Sequence, residues 1–132
     1  MRVPLLVGGN PNVLVFYYTG NGSTTFDPFV TTSSGVNVSW KPDDAPETVT
    51  SGTTHNFSYT PSAGSHMCVV RVAGGLGLVT RLNCEVDLLT QIRNLQKCIA
   101  MTQLDCYTNP SIMLPLSQIP RTVTILTASG GA

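Results

Sequence analysis

A pattern of apolar residues that recurs after 22 residues most constrains what the second half of this chain can fold into. Apolar residues fill the first, fourth and sixth positions of each repeat, and the same slots recur at two successive shifts of equal length. These slots hold Val79, Leu82 and Cys84, then Met101, Leu104 and Cys106, and then Val123, Leu126 and Ala128. The pattern predicts short parallel strands, stacked about 4.8 Å apart, whose slots point inward.

The spacing resembles the leucine-rich repeat, whose template is L-x-x-L-x-L-x-x-N-x-L with a period of about 20–29 residues. Asn109 occupies the Asn slot of the second repeat, and Asp87 occupies that of the first. The last apolar slot of the second repeat falls on Ser111, so Ile112 must serve in its place. The resemblance implies that Asn109 hydrogen-bonds backbone groups along the turn that leaves its strand.

Residues between the inward slots face outward and form the concave face of the predicted stack. We expect this face to contact a partner. The predicted partner-binding residues are Arg81, Glu85, Gln103, Asp105, Tyr107, Ile125 and Thr127.

The two return segments of the repeats differ. Apolar residues fall at helical spacing between Leu88 and Ile99, which predicts one helix. Pro115 and Pro120 predict an extended or 3₁₀ path for the second return. No further repeat follows the segment from 123 to 128, so we expect another subunit to cover that strand.

The first half alternates in hydrophobicity over short segments, which predicts strands of an antiparallel sandwich. Val38 and Trp40 share one face of a strand, while Phe57 and Tyr59 share a face of another. Val70 follows in a segment that also places Cys68 inward.

Residues 40–72 resemble the polycystic-kidney-disease (PKD) type of immunoglobulin-like domain. The resemblance is carried by Trp40, by the segment from His55 to Tyr59, and by the strand that follows Ala63-Gly64. Two features depart from the family: a Pro-flanked Asp43-Asp44 turn replaces its Asp-Gly turn, and His66 stands where an aromatic is usual. The expected fold is mainly β, with a PKD/Ig-like sandwich at 1–74 and a parallel leucine-rich-repeat stack with one helix at 75–132, about two and a half repeats.

The charge balance excludes some partners. Seven basic and seven acidic residues cancel, so the chain has no electrostatic basis for binding nucleic acid. No apolar run is long enough to span a membrane as a helix. The first ten residues are too short and too interrupted by Pro and Gly for a signal peptide, so we expect cytoplasmic synthesis and a final location on a virion surface or outside the cell.

No pattern typical of an active site is present, so we expect no enzymatic activity, no cofactor and no metal. The nucleophile elbow G-x-S-x-G is absent, and the glycines at 20 and 22 lack the Lys of a phosphate loop. Asp43, Asp44 and Glu47 form either a solvated turn or a weak calcium site. The four cysteines lack CxxC spacing, which favours buried thiols, and Cys84 and Cys106 are either stacked thiols or a disulfide.

Two functional hypotheses follow. A PKD-like module joined to leucine-rich repeats resembles accessory structural proteins of bacteriophages, which implies a structural or decoration protein whose partners are other subunits, including copies of itself. The alternative is a secreted or cell-surface recognition module that binds protein or glycan on the concave face.

Overall fold

A computed structural model describes residues 12–84, 88–106, 109 and 112–127. The chain is mainly β, as the sequence predicted. The strands are β1 (Val13–Gly20), β2 (Phe29–Pro42), β3 (Thr48–Asn56), β4 (Gly64–Val72), β5 (Val79–Asn83), β6 (Leu89–Arg93), β7 (Gln103–Asp105) and β8 (Ile125–Thr127). Short 3₁₀ turns cover Leu76–Leu78, Leu95–Lys97 and Leu116–Gln118.

All eight strands belong to one mixed sheet, in the order β6-β1-β4-β2-β5-β7-β8 with β3 paired to β2. The pairs from β6 to β5 are antiparallel, and β5, β7 and β8 are parallel. Strands of both predicted segments therefore share one sheet. The domain boundary near residue 74 and the sandwich itself stay predictions.

The long strand β2 curls this sheet around its core. Its second half pairs with β4, where Trp40 lies opposite Val70, and its first half pairs with β5, where Val30 lies opposite Leu82. The pairing of β2 with β3 is irregular between Thr31 and Val36, which lets the strand bend. One hydrophobic cluster consequently draws side chains from both ends of the chain.

Aromatic residues fill the part of the core that lies among the antiparallel strands. Trp40 stacks on Phe57 with ring centroids 5.4 Å apart, and Tyr18 stacks on Phe26 at 4.1 Å. Tyr59 is partly buried against the same cluster. The inward positions predicted for Trp40 and Phe57 are confirmed, because both residues are buried.

The helix predicted between Leu88 and Ile99 is wrong. Residues Leu89–Arg93 form β6, which pairs antiparallel with β1 and places Ile92 opposite Phe16. Asn94 then ends the strand in the left-handed region, at φ 71°, and its side chain donates a hydrogen bond to the Val13 carbonyl. The apolar spacing of three to four residues fits a strand followed by a tight turn as well as a helix, and pairing with β1 decides between them.

The second return segment contains the 3₁₀ turn at Leu116–Gln118, within the extended or 3₁₀ path that its prolines predict. No helix in the described part of the chain is long and apolar enough to cross a membrane.

Candidate functional site at the open end of the parallel stack

The parallel strands are paired at the 22-residue shift found in the sequence. Leu82 lies opposite Leu104, and Leu104 lies opposite Leu126. On one side of this row, Arg81, Gln103 and Ile125 are aligned, and on the other Asn83, Asp105 and Thr127. Each 22-residue unit of strand and return is called a rung below, so that β5, β7 and β8 begin the first, second and third rungs.

A row of threonines crosses the three rungs and was not among the features predicted from the sequence. The backbone N–H of Thr102 donates to the Thr80 carbonyl at 2.9 Å, and the N–H of Thr124 donates to the Thr102 carbonyl at 2.9 Å. The hydroxyls of Thr102 and Thr124 donate to the same two carbonyls, at 3.4 and 3.3 Å. The signal is visible in the sequence, since the same residue type recurs at 80, 102 and 124.

Asn109 joins the first two rungs where their strands end. Its buried side-chain amide donates to the carbonyl oxygens of Cys84 and Cys106, both at 2.9 Å. Its side-chain oxygen accepts from the backbone N–H of Leu89 at 2.9 Å. Asn109 therefore makes the backbone contacts that its slot in the repeat predicted.

The return segments repeat as well. The N–H of Met101 donates to the Cys98 carbonyl at 3.0 Å, and the equivalent bond runs from Val123 to Pro120 at 3.2 Å. Beside β6, the N–H of Met113 donates to the Thr90 carbonyl at 2.9 Å. The stack therefore continues through both the strands and their returns.

Burial decreases at the last member of each apolar row. Leu82 and Leu104 are fully buried, whereas 47% of the surface of Leu126 is exposed. Likewise Met101 and Ile92 are fully buried, but their counterparts 22 residues later, Val123 and Leu114, are only partly buried. No described strand pairs with the outer edge of β8. We call the outer edge of β8, together with Leu114, Val123 and Leu126, the end face.

The backbone of the end face is suited to pairing with another strand. The N–H of Cys106 donates to the Thr127 carbonyl at 2.7 Å, so the polar groups of Thr127 face β7. Successive residues of a strand direct their N–H and C=O groups to opposite sides. The N–H and C=O of Leu126 therefore face away from β7, toward the open side.

The predicted concave face brings three of its residues together. Asp105 accepts hydrogen bonds at one carboxylate oxygen from Arg81, at 3.1 and 3.3 Å, and from Gln103 at 3.0 Å. The Arg81 guanidinium also lies 5.5 Å from the ring centroid of Phe29. These polar groups therefore bond across β5 and β7.

Of the other predicted partner-binding residues, Ile125 and Thr127 lie on β8, and 52% of the surface of Ile125 is exposed. Glu85 and Tyr107 lie outside the described residues.

A second polar cluster ties the turn after β2 to β4. Asp43 accepts from the N–H of Met67 at 3.1 Å and lies 2.8 Å from the Nδ1 of His66. Asp44 accepts from the Tyr59 hydroxyl at 2.7 Å and from the N–H of Ser62 at 3.3 Å. Both carboxylates are engaged within the chain, which favours a structural role for the turn.

This cluster differs from the calcium set considered from the sequence. His66 takes the third place beside Asp43 and Asp44, whereas Glu47 accepts a hydrogen bond from the Ser39 hydroxyl. The alternation of residues along β4, which a local motif does not reveal, brings His66 to this turn.

The cluster shifts the ionisation of its members. Partial burial works against charge on both groups, but the hydrogen bond to Asp43 outweighs it and raises the pKa of His66. In the same way, burial is outweighed by the hydrogen bond from Tyr59, and the pKa of Asp44 is lowered. The charged forms of both groups are therefore favoured in the folded chain.

All four cysteines are buried, and no disulfide joins them in the part of the chain that the structure describes. Burial raises the pKa of Cys68 and Cys98 to about 12, and that of Cys106 to about 11. Thiols with such values are protonated and unreactive near neutral pH. Cys84 lies in the inward slot one rung before Cys106, and its sulfur contacts the Asp105 carbonyl at 3.5 Å.

Comparison with models of protein families, with curated proteins and with solved structures finds no match to this chain. The resemblance to PKD domains and leucine-rich repeats therefore stays a prediction. The functional argument rests on the end face and its neighbouring rungs.

Proposed function

We propose that this chain is a non-enzymatic structural protein of a virion or a similar surface assembly, and that it acts through protein–protein contacts at its end face. The observation that carries the proposal is the exposure of Leu126 in a slot where Leu82 and Leu104 are fully buried. Burying a leucine side chain contributes about 1.5–3 kcal/mol. An open slot at the end of an otherwise filled row therefore favours association.

The edge of β8 adds a second driving force. Exposed strand edges pair readily with other chains, and proteins often protect them with charged residues or proline. The strand Ile125–Thr127 contains neither, and Arg121 is the only charged residue between 112 and 127. Since charged residues are depleted at the centres of interfaces, this composition suits a buried contact.

For the fold, we propose that β1–β4 form a PKD or immunoglobulin-like unit and that β5, β7 and β8 belong to a short leucine-rich-repeat stack. The contacts of Asn109 and the 22-residue register support this assignment. Repeats depend on their neighbours for stability, and the ends of a stack need covering. Under this proposal, β2 covers the first rung and a partner covers the third.

We keep recognition of protein or glycan on the concave face as a second candidate function. Arg81 and Phe29 favour it, because arginine and aromatic side chains are enriched at the energetic centres of interfaces. The internal bonds between Arg81 and Asp105 weigh against it, since a partner must compete with them. Loss of binding on glycan or protein arrays by Arg81→Ala, but not by Leu126→Asp, would support this candidate over the first.

The experiment for the assembly proposal compares two variants in particles purified from the source of this sequence. Leu126→Asp places a charge in the end face, whereas Val49→Asp makes the same change at an exposed valine of β3. We expect wild type and Val49→Asp to be recovered in fixed ratio to the other particle proteins, and Leu126→Asp to be lost. Absence of the wild-type chain from such particles, or equal recovery of both variants, would contradict the proposal.

A further inference from the structure

We infer that the partner at the end face is a second copy of this chain, with the two β8 strands paired antiparallel about a twofold axis at Leu126. This inference rests on the proposed function, because it names the partner of the same surface. It adds a specific geometry, in which each copy completes the third rung of the other.

The chain itself shows how an end of the stack is closed. At the first rung, the antiparallel strand β2 lies on β5, with Val30 opposite Leu82. The hydroxyl of Thr80 also donates to the Thr31 carbonyl of that strand at 3.2 Å. An antiparallel strand with an apolar residue opposite the leucine slot is therefore a compatible cover. A twofold copy of β8 supplies that same arrangement at the third rung.

The backbone geometry places Leu126 at the centre of such a pair. Its N–H and C=O face the open side, and in an antiparallel pair two opposed residues can exchange both hydrogen bonds. With Leu126 opposite its own copy, Ile125 of each chain lies opposite Thr127 of the other. The exposed leucines then meet across the axis and exclude water from each other.

The topology favours a closed dimer over an open filament. Head-to-tail addition would require a free edge at the first rung, but β2 already occupies β5 there. At the other end of the sheet order, β6 is bonded on its outer side, where Thr90 accepts from the N–H of Met113. A contact that uses the same surface on both copies closes by itself, as twofold dimers do.

Electrostatics do not oppose the contact between identical copies. The chain has zero net charge, with seven basic and seven acidic residues. Arg121 is the only charged residue in the segment 112–127 that supplies the end face. Two copies can therefore approach without burying like charges.

The test measures the mass of the full chain in solution by sedimentation equilibrium at micromolar concentration. We expect wild type and Val49→Asp to have twice the 14.0 kDa mass of the chain, and Leu126→Asp to have a mass of 14.0 kDa. The near-ultraviolet circular dichroism of Trp40 reports whether each variant keeps its folded core, since Trp40 is buried.

A cysteine at the axis provides a second measurement that does not depend on disrupting the contact. In Leu126→Cys, the two introduced thiols face each other with their Cα atoms about 5.5 Å apart, within the range of a disulfide. We expect mild oxidation to link this variant into a dimer on a non-reducing gel. Val49→Cys, the matched control, should remain a monomer on that gel.

The outcomes separate this inference from the proposed function. A wild-type mass of 14.0 kDa together with no cross-linking of Leu126→Cys overturns the twofold pair. If Leu126→Asp is nevertheless lost from particles, the end face contacts a different protein and the proposed function survives. If Leu126→Asp is retained in particles while the wild type is a cross-linkable dimer, the twofold pair is supported and the proposed function is contradicted.

Discussion

The side-chain amide of Asn109 donates a hydrogen bond to the carbonyl oxygen of Cys84, at 2.9 Å, and so connects two strands that are consecutive in the parallel stack. A second bond from the same amide reaches the Cys106 carbonyl in the next rung. Because Asn109 is fully buried, water cannot replace these bonds when the side chain is removed.

We therefore predict that Asn109→Ala lowers the free energy of unfolding by about 3 kcal/mol, since it leaves buried backbone groups unpaired. Urea denaturation monitored by the fluorescence of Trp40 measures this change. The matched control is Asn37→Ala, at an exposed position of β2, which should change stability by less than about 0.5 kcal/mol. Equal effects of the two variants would contradict the bridging role of Asn109.

The row of leucines predicts a difference between two equal truncations. Leu104→Ala removes a fully buried side chain and should cost about 3 kcal/mol of stability. Leu126→Ala, at the exposed end of the row, should cost less than about 1 kcal/mol at dilutions that favour the monomer. Thermal and urea denaturation of both variants test this order, and a larger loss for Leu126→Ala would show that the third rung is already covered within the chain.

His66 predicts a pH dependence of stability. Its pKa is raised in the folded chain, chiefly through its hydrogen bond with Asp43, despite the opposing effect of burial. The resulting stabilisation is fully present below the ordinary histidine pKa of 6.5, and is lost as the pH rises through the higher folded value. Relative to His66→Gln, the wild type should therefore be more stable at pH 5.5 than at pH 8.5.

The comparison with His66→Gln is necessary because His55 acts in the opposite direction. Burial lowers the pKa of His55, so its contribution is lost as the pH falls. Urea denaturation at several pH values separates the two, since His55 is the same in both proteins. An identical pH profile for wild type and His66→Gln would contradict the role assigned to the contact with Asp43.

The burial of the cysteines predicts thiols that resist modification in the folded chain. With pKa values of about 12 for Cys68 and Cys98 and about 11 for Cys106, little thiolate is present at pH 8. We expect a thiol-specific reagent to modify almost none of the four cysteines before unfolding, and all four in concentrated urea. Rapid modification without denaturant would show that the cores of the rungs open readily.

The parallel part of this fold is predictable from sequence because its determinants are local and repeated. Leu82, Leu104 and Leu126 occupy equivalent slots, and their equal spacing is enough to predict the register in which the strands pair. The open edge of β8 follows from the same pattern. Thr80, Thr102 and Thr124 carry a similar signal, but a template of apolar slots does not include it.

Other features depend on contacts that are distant in sequence. Ile92 belongs to a strand because β1 pairs with it, and no local pattern reveals that pairing. The contact of His66 with Asp43 requires β4 to lie beside the end of β2. Similarly, the charge of Arg81 was expected to serve a partner, but Asp105 engages it within the stack.

The most direct test of the end face is the hydrogen exchange of the Leu126 amide, measured by NMR at several protein concentrations. The backbone N–H of Leu126 faces away from β7, so only a strand laid on β8 can protect it. We predict that its exchange slows as the concentration rises through the range in which the copies associate, and that Leu126→Asp abolishes this slowing. Exchange at the unprotected rate at every concentration would contradict pairing of a second copy at β8.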